Sequence, residues 1–457
     1  MIVPSITSGS RHHFFGFHDL VQSNAKGDLI LALEVEDITH PPLPGESAQS
    51  GVVERATKNF IPIHQTEAFN YPQGARQQWV GDSDYFLCNG RKEGLIVCHV
   101  SDARTQCVED VLPFPVHCHN PKTCDAFYMN YDRLHRVGGY GYHGGCDCYA
   151  NQDIPEQDGI FKGNIKTKKN ELLVSLRQIA SCAEKRPVVT GFPHYVTHFV
   201  LNPSRTRLAF LHRFRVQDGG EITRLMTIDT NGNNMRCLAK GFLSHFDWLD
   251  DQQIFMWGRD ERKLCQFREA RWLRIPGLLH GAVLAKKIIR GLRSSGKTIQ
   301  GLPGQNNSFL RIQDDESSKI EKIGSDVLLE DGHPMLNPVK RDILVIDTYP
   351  NASGIRTLML YNWKVNTRVD LGIFQKLEQR PDVRKFNAQS IFKGIDKRIR
   401  KKFADSKYLF TRSGLHCDLH PRWSADGKCV FFDSIHEGTR QIYEMDCECA
   451  MKSLDVQ

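Results

Sequence analysis

The chain has 457 residues, 40% hydrophobic and 25% charged, with 36 Gly, 20 Pro and a formal charge of +7. These values exclude a disordered or fibrous chain and allow a large core, organised either as one large repeat fold or as two or three average domains. No apolar run approaches the ~20 residues of a membrane span, so none is expected.

Met1 to Ser10 shows no basic stretch followed by an apolar one, so no secretory leader is expected. The 14 cysteines then read as small hydrophobes of a reducing compartment, and the cytoplasm is the expected location. Strand-like units follow around Phe17–Glu36, Gln77–Val100 and Val116–Ser175. Before the first two, His12 to Asp19 and Asn70 to Trp79 set polar groups beside aromatics, as sugar sites do. His18, Asp19, Gln73 and Trp79 are therefore candidate substrate-binding residues, with hydrogen bonding between sheets as the alternative for His18, Asp19 and Gln73. His117, His119, Cys124, Cys146 and Cys148 gather soft ligands, but Cys-x-Cys is not the Cys-x-x-Cys knuckle of structural zinc, and reduced cysteines are expected.

The rhythm is clearer in the second half. His198 to His212 reads as strand, Asn-Pro turn and apolar strand, and Arg224 opens the next strand. A weaker unit spans Ser244–Phe267, and a strong one runs Gly332–Thr348 into Thr357–Trp363. The clearest is His420–Asp446, in which Ala-Asp-Gly and Glu-Gly turns separate three strands. Residues 268–325, with a helix-like basic stretch from Leu278 to Leu292, and residues 374–413, with another around Ile391–Phe403, break the rhythm and read as insertions. Their lysines and arginines suit either solvated surfaces or peripheral contact with anionic glycans or phospholipid headgroups. No RNA motif, zinc finger or helix-turn-helix accompanies them, so nucleic acid is not an expected partner.

A lone four-stranded unit cannot bury both faces, so such units must stack and close. The expected fold is all-β: a single β-propeller over residues 1–457, with seven four-stranded blades, six or eight being the neighbouring counts, and two partly helical insertions. Residues 14–20 are expected beside 440–446, joining the ends.

Pro421-Arg-Trp-Ser-Ala-Asp-Gly-Lys428 with Gln441-Ile-Tyr443 resembles the TolB-type (WD40-like) propeller repeat. Thr197-His198, Arg224, Ser244-His-Phe-Asp-Trp248, Asp331-Gly-His333 and Asp418-Leu-His-Pro421 occur in an order similar to that of oligogalacturonate lyases, over roughly residues 190–447. The resemblance implies a divalent metal, manganese foremost, near the axis, with an Arg and a His acting on a uronate. Arg224 and His245 fall on those two catalytic positions, and His333 and His420 on two metal-binding histidines. Asp418 stands where the family has another His, and the Gln that completes its metal site is not found.

From the residues themselves, imidazole plus carboxylate suits Mn, Zn or Fe better than Ca, and Asp418 and His420, two apart, share a strand face. The metal set is thus His333, Asp418 and His420, unless His420 and Asp418 merely cap a hairpin. His245, beside Phe246 and Trp248, is a candidate general base or a packed structural residue; Arg224 is a carboxylate clamp or a structural ion-pair partner. His198, His212 and Arg213 lie on strands of the same unit and could line the same funnel, His198 as a third catalytic candidate and Arg213 as a substrate contact. No phosphate loop, nucleophile elbow or zincin helix is present. The expectation is a lyase-like enzyme eliminating across a uronate-containing acidic oligosaccharide. The alternatives are a glycosyltransferase or other enzyme of surface-polysaccharide assembly, and a non-catalytic binding propeller.

Overall fold

Short apolar or alternating runs between turn residues, such as Leu29–Val35 and Ile343–Asp347, pair antiparallel with their sequence neighbours throughout the chain. The computed structural model describes residues 3–184, 188–269, 307–375, 394–400 and 406–454. The fold is all-β with few helices. One sheet holds β1 (His12–Phe14), β2 (Leu29–Val35), β3 (Ala48–Glu54) and β4 (Asn59–Thr66) in chain order. The next holds β5 (Gln78–Trp79), β6 (Tyr85–Lys92), β7 (Leu95–Asp102) and β8 (Cys107–Leu112). A third joins β9 (Cys118–Asn120), β10 (Asp125–Met129), β11 (Gly159–Asn164) and β12 (Asn170–Ser175).

Seven strands then form one sheet: β13 (Tyr195–Leu201), β14 (Arg207–Arg215), β15 (Glu221–Asp229), β16 (Arg236–Trp248), β17 (Gln253–Asp260), β18 (Ser308–Gln313) and β19 (Ile320–Ile323). The long β16 joins its halves, pairing with β15 up to Gly241 and with β17 from Gly241 onward. The last two sheets are β20 (Met335–Leu336), β21 (Ile343–Asp347), β22 (Ile355–Asn362) and β23 (Thr367–Gln375), then β24 (Arg422–Trp423), β25 (Cys429–Ser434) and β26 (Gln441–Asp446).

Three tryptophans stitch neighbouring units, Trp248 doing so within the seven-stranded sheet. Their indole N–H groups donate to backbone carbonyls: Trp79 to Gln22 at 2.9 Å, Trp248 to Val200 at 3.0 Å and Trp423 to Met335 at 3.0 Å. Each ring covers ~150–250 Å², worth about 4 kcal/mol or more at ~25 cal/mol/Å². Trp79, expected to bind substrate, thus spends its one polar atom on this bond. At the β24–β25 turn Gly427 has φ +67°, and a Cβ there would lie 2.4 Å from the Asn337 side chain of the sheet beside it.

The N-terminal residues reach the last sheet, where Phe14 of the expected range lies under the Arg440 guanidinium at 4.9 Å, but the residues that pair with its edge come earlier. Ser5 bridges Tyr443, and the Ile6 amide donates to the Ile442 carbonyl at 2.8 Å. Residues 16–18 turn inward instead. The first expected insertion also ends earlier than 325, because 308–323 supply β18 and β19. Leu278–Leu292 lies outside the described residues. Of 391–403 only 394–400 are described, and Ile395 and Ile399 there join the core around α1 (Tyr131–Gly138). Among the described residues no helix is long and apolar enough to cross a membrane.

Helix α2 (Leu176–Ser181) opens with a capping box, Ser175 and Gln178 each accepting the other's backbone N–H. Ser175→Ala is expected to cost about 1 kcal/mol and to lower Tm by at most about 3 °C, measurable by thermal and urea unfolding. An unchanged urea midpoint would remove the cap from the account.

Candidate functional site

Five imidazoles from separate strands or loops meet around one ring. Phe17 lies 5.0 Å from His198, 5.2 Å from His420, 6.1 Å from His333 and 6.3 Å from His245, centroid to centroid, and 4.2 Å from His18. Phe17 reaches this position because Gly16, at φ +132°, passes so close to Gln73 that a Cβ would sit 2.6 Å from its backbone. His198, His245, His333, Asp418, His420 and Phe17 line a cavity of about 670 Å³, walled further by Tyr71, Tyr140, Tyr349, His416 and Arg412. The strands lead on to a second cavity of about 490 Å³, where Leu201, Asn202, Leu336 and Asn337 take part in the lining.

Irregular backbone aims these rings. His198 and His420 have φ of +57° and +43°, left-handed values uncommon without glycine. Register shifts between Thr197 and Val200 and between Leu243 and Phe246 make His198 and His245 bulge residues, turned out of the regular alternation.

The donors of the expected metal set, His333, Asp418 and His420, all lie within 4.8 Å of one another. His333 Nδ1 donates to Asp347 Oδ1 at 2.8 Å, and His420 Nδ1 donates to the Gly16 carbonyl at 2.7 Å. Because those partners only accept, Nε2 of each ring carries the lone pair. Asp347 also takes the backbone amides of both residues, at 2.8 and 3.1 Å, so one carboxylate sets both histidines. Burial pushes its pKa up to about 6. Burial, followed by the neighbouring imidazoles, keeps His333 well below the usual histidine range and pushes His420 down to about 3. Asp418 is held by His416 Nε2 at 3.0 Å and Arg356 at 3.2 Å. Burial alone would raise Asp418, but His416 and then Arg356 overcome it and carry the group well below the usual carboxylate range. Two neutral imidazoles and one anionic carboxylate suit a borderline divalent cation, so the residues fit the metal expected here.

His245 carries a different partner set. Its Nδ1 donates to Asp331 Oδ1 at 3.1 Å, and the Tyr349 hydroxyl stands 3.4 Å from Nε2. His245 lines the cavity beside His333, with ring centroids 4.1 Å apart.

The other expected site residues do not line this cavity. Arg224 does not reach the cavity: its guanidinium donates to the carbonyls of Ile179, at 3.1 Å, and Cys182 at the end of α2, and stands 3.4 Å from His212. His212 is itself paired with His194 at 3.0 Å. His18 sits buried beneath Phe17, donating from Nδ1 to the Pro334 carbonyl at 2.7 Å. Asp19 is fully engaged by Arg76, both oxygens at 2.8 Å. Gln73 is buried against Gly16, and Arg213 stands behind the wall near Tyr140 and Tyr195. His117 and His119 bond Tyr131 and Gln78, and among the described residues no metal cluster includes the cysteines. Sequence reasoning missed Phe17, Asp331, Asp347, Tyr140, Tyr349 and Arg412. Asp331, two residues before His333 in the Asp331-Gly-His333 motif, and Phe17, among the aromatics of His12–Asp19, carried a signal.

No family model and no curated protein matches the chain. A solved structure of an oligogalacturonate lyase in complex with manganese matches with a TM-score of 0.55 and 13% identity, over 97% of this chain and 92% of that one. The oligogalacturonate lyase of Vibrio parahaemolyticus matches with a TM-score of 0.56 and 12% identity, over 98% and 93%. TolB from Acinetobacter baumannii matches at 0.35 and 10% identity, over 80% and 64%. What the two lyases share with this chain is the fold. The likeness to the oligogalacturonate lyases, read from motifs in residues 190–447, extends as fold over nearly the whole chain, including the first half, where no motif signalled it.

Proposed function

We propose that the chain is a seven-bladed β-propeller whose histidine cavity eliminates across a uronate-containing acidic oligosaccharide. His333, Asp418 and His420 would hold a divalent metal, manganese first and zinc or iron after it. The observation that carries this reading is the convergence of those three donors within 4.8 Å, with the Nδ1 atoms of both imidazoles already used. Seven blades follow if the seven-stranded sheet is divided at β16, where Gly241 pairs on both sides, and if Ser5 and Ile6 supply the outer strand beside β26. The likeness in fold to two oligogalacturonate lyases supports the reaction class, as does the cavity's supply of a base, a cation site and aromatic walls.

Elimination needs the proton beside the substrate carboxylate to leave while the resulting enolate is stabilised. A bound cation would neutralise that carboxylate as a Lewis acid. His245 Nε2 accepts the proton, Asp331 holding Nδ1–H and stabilising the imidazolium. Phe17 and the tyrosines exclude water and offer faces to the sugar ring.

The test uses the full chain with acidic oligosaccharides, following the ultraviolet absorbance of an unsaturated uronate before and after EDTA, with metal content by elemental analysis. Turnover lost on chelation and restored by manganese is expected. Protein that carries no stoichiometric metal and produces no chromophore overturns the reading.

A further inference from the structure

Tyr140 follows directly on the end of α1. Gly139 closes that helix at φ +72°, and Asn70 Nδ2 donates to the Tyr140 carbonyl at 2.8 Å, so the phenol is fixed in the wall of the histidine cavity. Its ring is 6.0 Å from that of His198. Arg412, the last residue of α3 (Ser406–Arg412), lies over the same ring with its guanidinium carbon 3.8 Å from the centroid. Arg213 from β14 adds a second positive charge, opposed by Glu221 from β15. That carboxylate already accepts from the Tyr195 hydroxyl at 3.2 Å and pairs with Arg215 at 3.5 Å.

We propose that Tyr140 is the proton donor to the departing oxygen, with Arg412 and Arg213 as positioning residues that hold the phenolate left behind. This rests on the lyase reading of the cavity. His245 takes the proton from the carbon beside the carboxylate, and that electron pair becomes the new C=C bond. The bond to the β-oxygen breaks with its pair staying on oxygen, and the Tyr140 proton ends there. Solvent returns a proton to the phenolate and removes one from His245, so the count closes without an oxidant or reductant.

The second phenol of the cavity provides the contrast. Tyr349 faces His245, and burial, then Asp418 and Asp331, carry it well above the usual tyrosine range. Tyr140 moves the other way: Arg412 first, and then Arg213, outweigh burial and lower it. Environments that drive two like groups apart separate their roles, and only the phenol beside guanidinium groups can leave its charge on the protein.

Tyr140→Phe in the full chain tests this by two measurements. In an ultraviolet titration of tyrosinate, the wild type should show one phenol ionising below the others, absent in Tyr140→Phe and moved up in Arg412→Gln. Its absence from the wild type overturns the proposal whatever the activity. In kinetics, Tyr140→Phe should lose about 10²–10⁴-fold in kcat on a glycosidic leaving group, with KM little changed. On an aryl ether leaving group, which departs without a proton, the loss should be under about tenfold. Equal losses on both substrates overturn the donor role and leave the lyase reading standing. A wild type inert on both overturns that reading, and the donor role with it.

Discussion

His245→Ala is expected to lower kcat for uronate elimination about 10²–10⁴-fold while leaving the metal content of the protein at the wild-type level. The ring is aimed by the register shift between Leu243 and Phe246, is oriented from Nδ1 by Asp331 at 3.1 Å, and has Nε2 turned to the cavity beside Tyr349. Alanine removes the proton acceptor but none of the three clustered donors. Kinetics and elemental analysis on the same preparation therefore separate two roles. A fall in kcat with metal retained marks a base, whereas metal lost in proportion to activity would make His245 a support for its neighbour His333. Asp331→Asn should cost less, about tenfold, since the amide oxygen still accepts from Nδ1 while the charge opposite the imidazolium is gone.

Repetition made the sheets legible in the sequence. Turn residues such as Asn202-Pro203 and Asp426-Gly427, each followed by an apolar strand, mark units that recur along the chain, and the all-β fold follows from that grammar. His333, Asp418 and His420 were legible for the same reason, since they stand at equivalent points just ahead of the first strand of two units. Arg224 was not. Position along a strand leaves open which wall of the sheet a side chain meets, and the cross-strand pair of His212 and Arg224 faces α2 instead of the cavity. His198 and His245 depend on bulges, which break the period of two on which any reading of strand faces relies. Tyr140 and Arg412 belong to a helix end and to an insertion with no repeat to compare, so only the three-dimensional packing brings one onto the other. Trp79 shows the same limit, since an aromatic beside polar residues looks the same in sequence whether its N–H meets a sugar or a backbone carbonyl.

His333→Ala and His420→Ala should each weaken manganese binding by at least about 100-fold, and Asp347→Asn by about 10–100-fold, as read by calorimetric titration of protein stripped with EDTA. The ordering follows from how the two rings are presented. Each imidazole can offer Nε2 only because something else occupies Nδ1: the Asp347 carboxylate for His333 and the Gly16 carbonyl for His420. Asp347 does more than orient one ring, since its second oxygen takes the His420 amide at 3.1 Å and so couples the two segments that carry the donors. Asparagine there keeps one acceptor and turns an NH₂ toward an N–H, which loosens His420 as well as His333 without removing a donor. Asp418 is the stricter case, because Arg356 already pairs with it at 3.2 Å, and an alanine would leave the Arg356 guanidinium buried without that counter-charge. Its substitution therefore confounds folding with binding. The histidine variants do not, and manganese affinity unchanged in both of them would mean that this cluster is held together by Asp347 for packing alone.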